Sequence, residues 1–274
     1  LWIDAYTTSA TELTAVEVTT DNGVFYMDVT ISASQNGNLI RRVKIGPKDL
    51  LNTSTVPFVI SGSLPIIDAK IALSKDYFTI NKKSKWITNS RSRKVAHLLR
   101  SKYDCIISTS KSINKDNSLL NCRIEGLNNY KPDLIIIDRY LKLKKEIKLL
   151  NISKKRKTFI VTITKNLKKI SFFKKKNIKF ILLDKLEKKQ DFEKLFKRIY
   201  KIGKGRVLVE AGLTFLNKLL VNKLINNLYV FKSSIRIKKS GYNNSNIKYL
   251  KKLKFKKKLD VNLSSDSLFK ARIR

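Results

Sequence analysis

From residue 63 onward, short unbroken apolar runs alternate with amphipathic segments. Leu134–Ile137, Thr158–Ile163, Ile178–Leu183, Arg206–Val209 and Leu228–Phe231 are apolar at nearly every position, not at every second one. A strand looks like this when both of its faces are covered, the situation of a parallel sheet with helices on either side. Ile66–Leu73 and Asp104–Ser108 read as further strands. Between them, Ser90–Lys102 has helical spacing, with Val95, Leu98 and Leu99 on one face and Ser90 as a plausible N-cap. Asp191–Tyr200 turns Phe192, Leu195, Phe196 and Ile199 to one side, and Leu213–Leu220 is a third helix. The tail from Tyr249 to Arg274 reads as helix or strand. Repeated strand-then-helix units predict an α/β domain over 63–274 with a mainly parallel sheet flanked by helices.

Residues 1–62 follow a different pattern. Glu12–Val18 and Val24–Ser32 alternate, Asp21-Asn22-Gly23 is a hairpin-turn signal, and Gln35-Asn36-Gly37 leads into a third strand at Leu39–Ile45. This predicts a small β-rich N-terminal segment of unassigned role. Composition marks the same boundary near Ser61-Gly62-Ser63: residues 1–62 hold four basic and six acidic groups, and the rest hold 55 and 15. So abrupt a change is consistent with a segment foreign to the remainder.

The net charge of +38 points first to nucleic acid or another polyanion. The basic residues, mostly Lys, recur in strands, helices and turns alike. They form no stripe with interleaved aromatics of the kind nucleic-acid modules use, so a solvated basic surface is favoured over a nucleic-acid site. Two cysteines (Cys105 and Cys122), one histidine (His97) and no Cys-x-x-Cys leave no disulfide scaffold and no structural zinc set. No run reaches transmembrane length. The opening Leu-Trp-Ile, without an initiator Met or a basic leader, leads to the expectation of a fragment or processed chain with no secretory signal.

Gly-x-Gly-x-x-Gly and Walker A sequences are absent, so a phosphate ligand would have to sit on a helix N-terminus by other means. Val207-Leu208-Val209-Glu210-Ala211-Gly212-Leu213-Thr214 supplies such a place: a buried strand ends at a carboxylate, and a small residue and a glycine precede a helix. The alternative is an ordinary strand-to-helix turn with Glu210 as a solvated or capping acid. Ser84-Lys85-Trp86-Ile87-Thr88, followed by a helix carrying Arg100, could stack a ring and bind a phosphate, or could be a loop anchored by a buried Trp. The stretch from Ser110 to Arg123 reads as a polar loop with hydroxyls, Asp116 and a closing arginine, or as plain surface.

Taken together, these segments resemble the reductase domain of the bifunctional riboflavin-biosynthesis deaminase–reductase, a dihydrofolate-reductase-like fold. Pro65…Lys70, Ser84-Lys85-Trp86-Ile87-Thr88, Leu98-Leu99-Arg100, Asp116 to Arg123, Ile137-Asp138-Arg139 and Val209-Glu210-Ala211-Gly212 through Leu216 follow its motifs in order and spacing. The likeness covers about residues 63–240. The family's turn glycine is Tyr77 here, the Asp and Pro of its acidic loop are Asn117 and Ser118, and Lys232-Ser233 stands for Ala-Pro. The deaminase zinc signature is missing, so deamination is not expected of this chain.

The resemblance implies a cytoplasmic NADPH-dependent reductase that converts the ribosyl group of 5-amino-6-(5-phosphoribosylamino)uracil to ribityl, working as a homodimer and needing no metal. It implies that Ala72, Trp86, Ser112, Asp116 and the turn Gly212, Leu213, Thr214, Phe215, Leu216, Asn217 and Lys218 line the cofactor. It places Ser84, Arg100, Leu120, Arg123 and Glu210 on the substrate, with Arg100 and Arg123 on its phosphate. No general acid is identified. The competing reading is a non-catalytic polyanion-binding protein built on a reductase-like fold.

Overall fold

The computed structural model describes residues 13–21, 24–31, 43–45, 64–126, 132–253, 255 and 257–274. The chain falls into two compact units, Leu1–Ser61 and Gly62–Arg274. In the first, β1 (Leu13–Asp21), β2 (Val24–Ile31) and β3 (Val43–Ile45) form an antiparallel sheet in that order. Asp21 pairs with Val24, the register that a two-residue hairpin demands. The expected turns at Asn22-Gly23 and Gln35-Asn36-Gly37, and the start of the third strand at residues 39–42, lie outside the described residues.

The second unit runs β4 (Ile66–Leu73), β5 (Ile80–Asn81), α1 (Ser90–Ser101), β6 (Cys105–Thr109), α2 (Ser110–Asp116), β7 (Asp133–Ile137), α3 (Lys148–Asn151) and β8 (Thr158–Thr162). It continues with α4 (Leu167–Lys175), β9 (Ile178–Leu182), α5 (Lys189–Lys201), β10 (Arg206–Val209), α6 (Leu213–Val221) and β11 (Asn227–Lys232). β12 (Gly241–Tyr242), α7 (Lys248–Lys252), β13 (Lys257–Leu259) and β14 (Ser267–Arg272) complete it. Nine strands form one sheet in the order β13-β14-β11-β4-β10-β6-β7-β8-β9. The seven from β11 to β9 are parallel; β14 and β13 add antiparallel at one edge. No helix among the described residues is long and apolar enough to cross a membrane.

The apolar runs of the central strands have the expected cause, whereas β9, at the sheet edge, is not covered on both faces: Lys179 and Leu182 are exposed. In β7, Ile135 and Ile137 join one core while Leu134 and Ile136 join the other. The first core is closed by Phe192, Leu195, Phe196 and Ile199 of α5 and by Leu213, Leu216, Leu219 and Leu220 of α6. The second is closed by Leu149 and Leu150 of α3 and by Ile170 and Phe173 of α4. A side chain of this size buried from water contributes about 1.5–3 kcal/mol, so both faces, and not one, define the sheet.

Three local expectations change. The cap of α1 is Asn89, whose Oδ1 accepts the Ser92 amide at 2.9 Å, and not Ser90. The stretch from Ser110 is a helix and not a loop as far as Asp116. Thr109 caps it through the Ser112 amide, Ile113 is fully buried beneath it, and Asn117 ends it in the left-handed conformation at φ 45°. The ribbon β5–β12 had no sequence signal. It needs Gly241, because a Cβ there would stand 2.3 Å from the Phe78 ring.

Candidate active site

α2 leaves the C-terminal end of β6 toward β7, whereas α6 leaves the neighbouring β10 toward β11 on the other side. Chains parting in opposite directions open a crevice at the carboxyl ends of parallel strands, the usual ligand position in such sheets. The sequence-predicted residues collect around this crevice.

Glu210 follows β10 directly, and its amide donates to Ile107 O at 2.9 Å. The β10–β4 register pairs Val209 with Ala69, which sets Glu210 beside Lys70. The Lys70 Nζ is 3.5 Å from Oε2. From α1, Arg100 donates Nε to Oε1 at 2.6 Å and Nη2 to Oε2 at 3.0 Å, a bidentate pair. The carboxylate is buried, with 7% of its side chain exposed. Burial alone would raise its pKa, but Arg100 and Lys70 outweigh it and hold the group at about 2. Burial likewise works against the Arg100 charge, and Glu210 reverses the balance and raises its pKa.

The remaining nitrogen of Arg100, Nη1, donates to Asn121 O at 3.0 Å. Each of its three nitrogens therefore has a protein partner, and Arg100 joins Glu210 to the loop after α2. Arg123 closes that loop and is exposed. His97, one turn before Arg100, lies 2.9 Å from Asn121 O through Nδ1 and 3.3 Å from Arg123 Nη2 through Nε2. The Arg123 amide also donates to Nδ1 at 3.3 Å, and Arg100 Nη1 lies 3.2 Å from it, so the ring is held between the two arginines and the loop backbone. Burial, then Arg100, pushes the His97 pKa down to about 4, so the ring is neutral at neutral pH. Leu120 is buried within the loop at φ 51°.

On the opposite side, the Gly212 amide donates to Ser112 Oγ at 3.2 Å, joining the starts of α6 and α2. No side chain caps α6, whose N-cap is Gly212. The open first turn is a place for an anion. The seven residues of the turn divide sharply. Leu213 and Leu216 are core, and Phe215 packs edge-on against Phe192 at 6.0 Å. Asn217 Nδ2 is spent on Asn246 O at 2.6 Å and Ser245 Oγ at 3.1 Å. Gly212, Thr214 and Lys218 are exposed. The amides of Phe215 and Leu216 donate to Gly212 O at 3.1 Å, and the Phe215 side chain stays partly exposed.

Trp86 is 51% exposed, with Arg93 4.6 Å and Lys85 Nζ 5.4 Å from its ring centre. It is no core anchor. Its amide donates to Ser84 Oγ at 3.2 Å, and Lys85 Nζ reaches Asp116 O at 3.4 Å, which ties this segment to the end of α2. Ala72 packs against a small apolar cluster of Ala96, Phe231, Leu263 and Leu268. Two departures from the family pattern touch each other. Tyr77 adopts φ 66°, a conformation glycine takes without strain, and Lys232 Nζ lies 3.1 Å from its hydroxyl and 4.1 Å from its ring centre. Lys70 and His97 carried no site role from the sequence. Lys70 sits at a motif position, while a lone histidine gives no local signal.

Among the described residues no group of three or more His, Cys, Asp or Glu could hold a metal. The RibD C-terminal domain model matches residues 58–237. The chain is 31% identical over 182 residues to the riboflavin biosynthesis protein RibD of Buchnera aphidicola subsp. Baizongia pistaciae, covering 61% of this chain and 48% of that protein. It is 25% identical over 175 residues to the same-named protein of Actinobacillus pleuropneumoniae, covering 64% and 44%. The chain thus spans about half the length of these curated relatives. Acinetobacter baumannii RibD superposes with a TM-score of 0.63 at 21% identity, over 78% of this chain and 59% of that one. The riboflavin biosynthesis reductase Rib7 of Saccharomyces cerevisiae gives 0.62 at 21%, over 79% and 93%. These structures share the mainly parallel, helix-flanked sheet. By the span of the matched model, this chain belongs to the RibD C-terminal domain family.

Proposed function

We propose that the chain is an NADPH-dependent reductase of riboflavin biosynthesis that reduces the ribosyl group of 5-amino-6-(5-phosphoribosylamino)uracil to ribityl. The observation that carries this reading is the Lys70–Glu210–Arg100 cluster, set at the strand ends beside the uncapped start of α6. The nicotinamide cofactor supplies the hydride when bound. The open turn at Gly212 and the Ser112 hydroxyl suit its pyrophosphate, and Trp86 offers a half-exposed ring for stacking.

Glu210, ionised at any physiological pH, accepts hydrogen bonds from the pyrimidine or the opened sugar. Lys70 presents its donors beside that carboxylate. Arg100 holds Glu210 in place, and exposed Arg123, backed by the neutral ring of His97, takes the phosphate. Orientation of cofactor and sugar carbon accounts for much of the rate in such a site. The proposal includes a homodimer. The polyanion-binding alternative rests on the charge of the chain alone.

The test is NADPH oxidation with the phosphoribosylamino pyrimidine, alongside thermal unfolding with and without cofactor. Turnover, with NADPH raising the unfolding temperature, is expected. Neither effect, together with salt-sensitive binding of random RNA, would replace the reading with the polyanion one.

A further inference from the structure

Arg156, in the segment just before β8, is 6% exposed. Its Nη1 donates to Leu120 O at 3.0 Å and Pro132 O at 3.3 Å, and its Nη2 donates to Leu119 O. Nε is buried without a partner. Among the described residues it forms no ion pair with a carboxylate. Arg100, on the other side of the same loop, repels it. Burial first and then Arg100 lower its pKa to about 10, against a weaker upward pull from the Asp133 carboxylate, which leaves it charged at neutral pH.

A buried cation without a hydrogen-bonded counter-ion is costly, and an apolar side chain would fill the same space at lower cost. What the arginine gains is a grip on backbone. Leu120 holds φ 51°, a conformation that a branched side chain keeps only where the surroundings over-determine it. Arg156 takes the carbonyls of Leu119 and Leu120, and Arg100 takes the next one, Asn121 O. Three successive carbonyls are thereby pinned from two sides, and the chain emerges at Arg123.

We propose that Arg156 is a positioning residue that clamps the Leu119–Arg123 backbone and so presents Arg123 to the phosphate of the substrate. This rests on the reading of Leu120 and Arg123 as substrate-binding residues. A planar fork is needed to hold adjacent carbonyls, and lysine lacks it.

The test uses the full chain with Arg156→Lys and Arg156→Met. The first readout is hydrogen exchange of the amides from 117 to 123. It requires no activity, so the clamp is tested even if the reductase reading fails. Exchange there should rise about tenfold or more in both variants, while β6 and β7 stay protected. The second readout is steady-state kinetics with the phosphoribosylamino pyrimidine. KM should rise about tenfold with kcat changed little and NADPH affinity unchanged, the split expected of lost ground-state positioning. Wild-type exchange and KM in a folded Arg156→Met protein would overturn the proposal. If that variant does not fold, Arg156→Lys decides: wild-type exchange and KM would show that arginine serves the fold alone.

Discussion

Replacing Glu210 with Gln keeps the shape of the side chain and removes the anion between Arg100 and Lys70. The side chains of Glu210 and Arg100 are 7% and 11% exposed, so solvent cannot take over the screening. The folded structure holds the carboxyl at about 2 against an ordinary 4.5. At 1.36 kcal/mol per pKa unit this is about 3 kcal/mol of stability. Breaking a buried pair from one side costs a similar amount, about 3–5 kcal/mol. The sign follows from the depressed pKa. The contribution is complete above about 4.5 and is lost as pH falls through about 2. Glu210→Gln should therefore unfold about 3 kcal/mol more easily at pH 7, with Tm lower by about 6–12 °C. Its stability should also decline less between pH 4.5 and pH 2 than that of the unaltered protein. Urea unfolding followed by circular dichroism across that range measures both. A variant within 1 kcal/mol of the parent at pH 7, with the same acid slope, would mean that the cluster does not form as described. Arg100→Met added to Glu210→Gln should recover part of the loss, because the stranded guanidinium is gone.

Arg123→Lys should raise KM for the phosphorylated substrate by on the order of tenfold, the scale of a lost charge-assisted hydrogen bond, at unchanged Tm. Lys174→Gln, on the exposed end of α4, should change neither in the same kinetic assay, and equal effects from the two would point to a general field instead of a phosphate site. Trp86→Ala should weaken NADPH binding by about 0.5–1.5 kcal/mol in a fluorescence titration and leave the unfolding free energy nearly intact; the reverse pattern would make Trp86 structural. A chain beginning at Ser63 is expected to fold, bind NADPH and turn over as the full chain does. If it binds cofactor but turns over at background rate, the first 62 residues take part in the site.

Local physics reaches a long way into this molecule. Apolar at every step, Leu134–Ile137 announced a strand covered on both faces, and the two cores confirm it. The spacing of Phe192, Leu195, Phe196 and Ile199 predicted the buried side of α5, and Gly212 at the end of an apolar run marked the start of α6. Each of these signals spans a few residues, and backbone geometry alone turns it into structure. Tertiary structure decided what Glu210 and Arg100 do. They are 110 residues apart, and they meet because β10 inserts between β4 and β6 instead of continuing outward from β9. No periodicity encodes that insertion, since strand order depends on how whole helices pack across the sheet. The same holds for Arg156, an unremarkable residue in a basic stretch until the fold brings it to the carbonyls of Leu119 and Leu120. Sequence pattern determined which segments are strands and helices and which faces they bury. Strand order determined which charges become neighbours, because in a parallel sheet those neighbours come from distant parts of the chain.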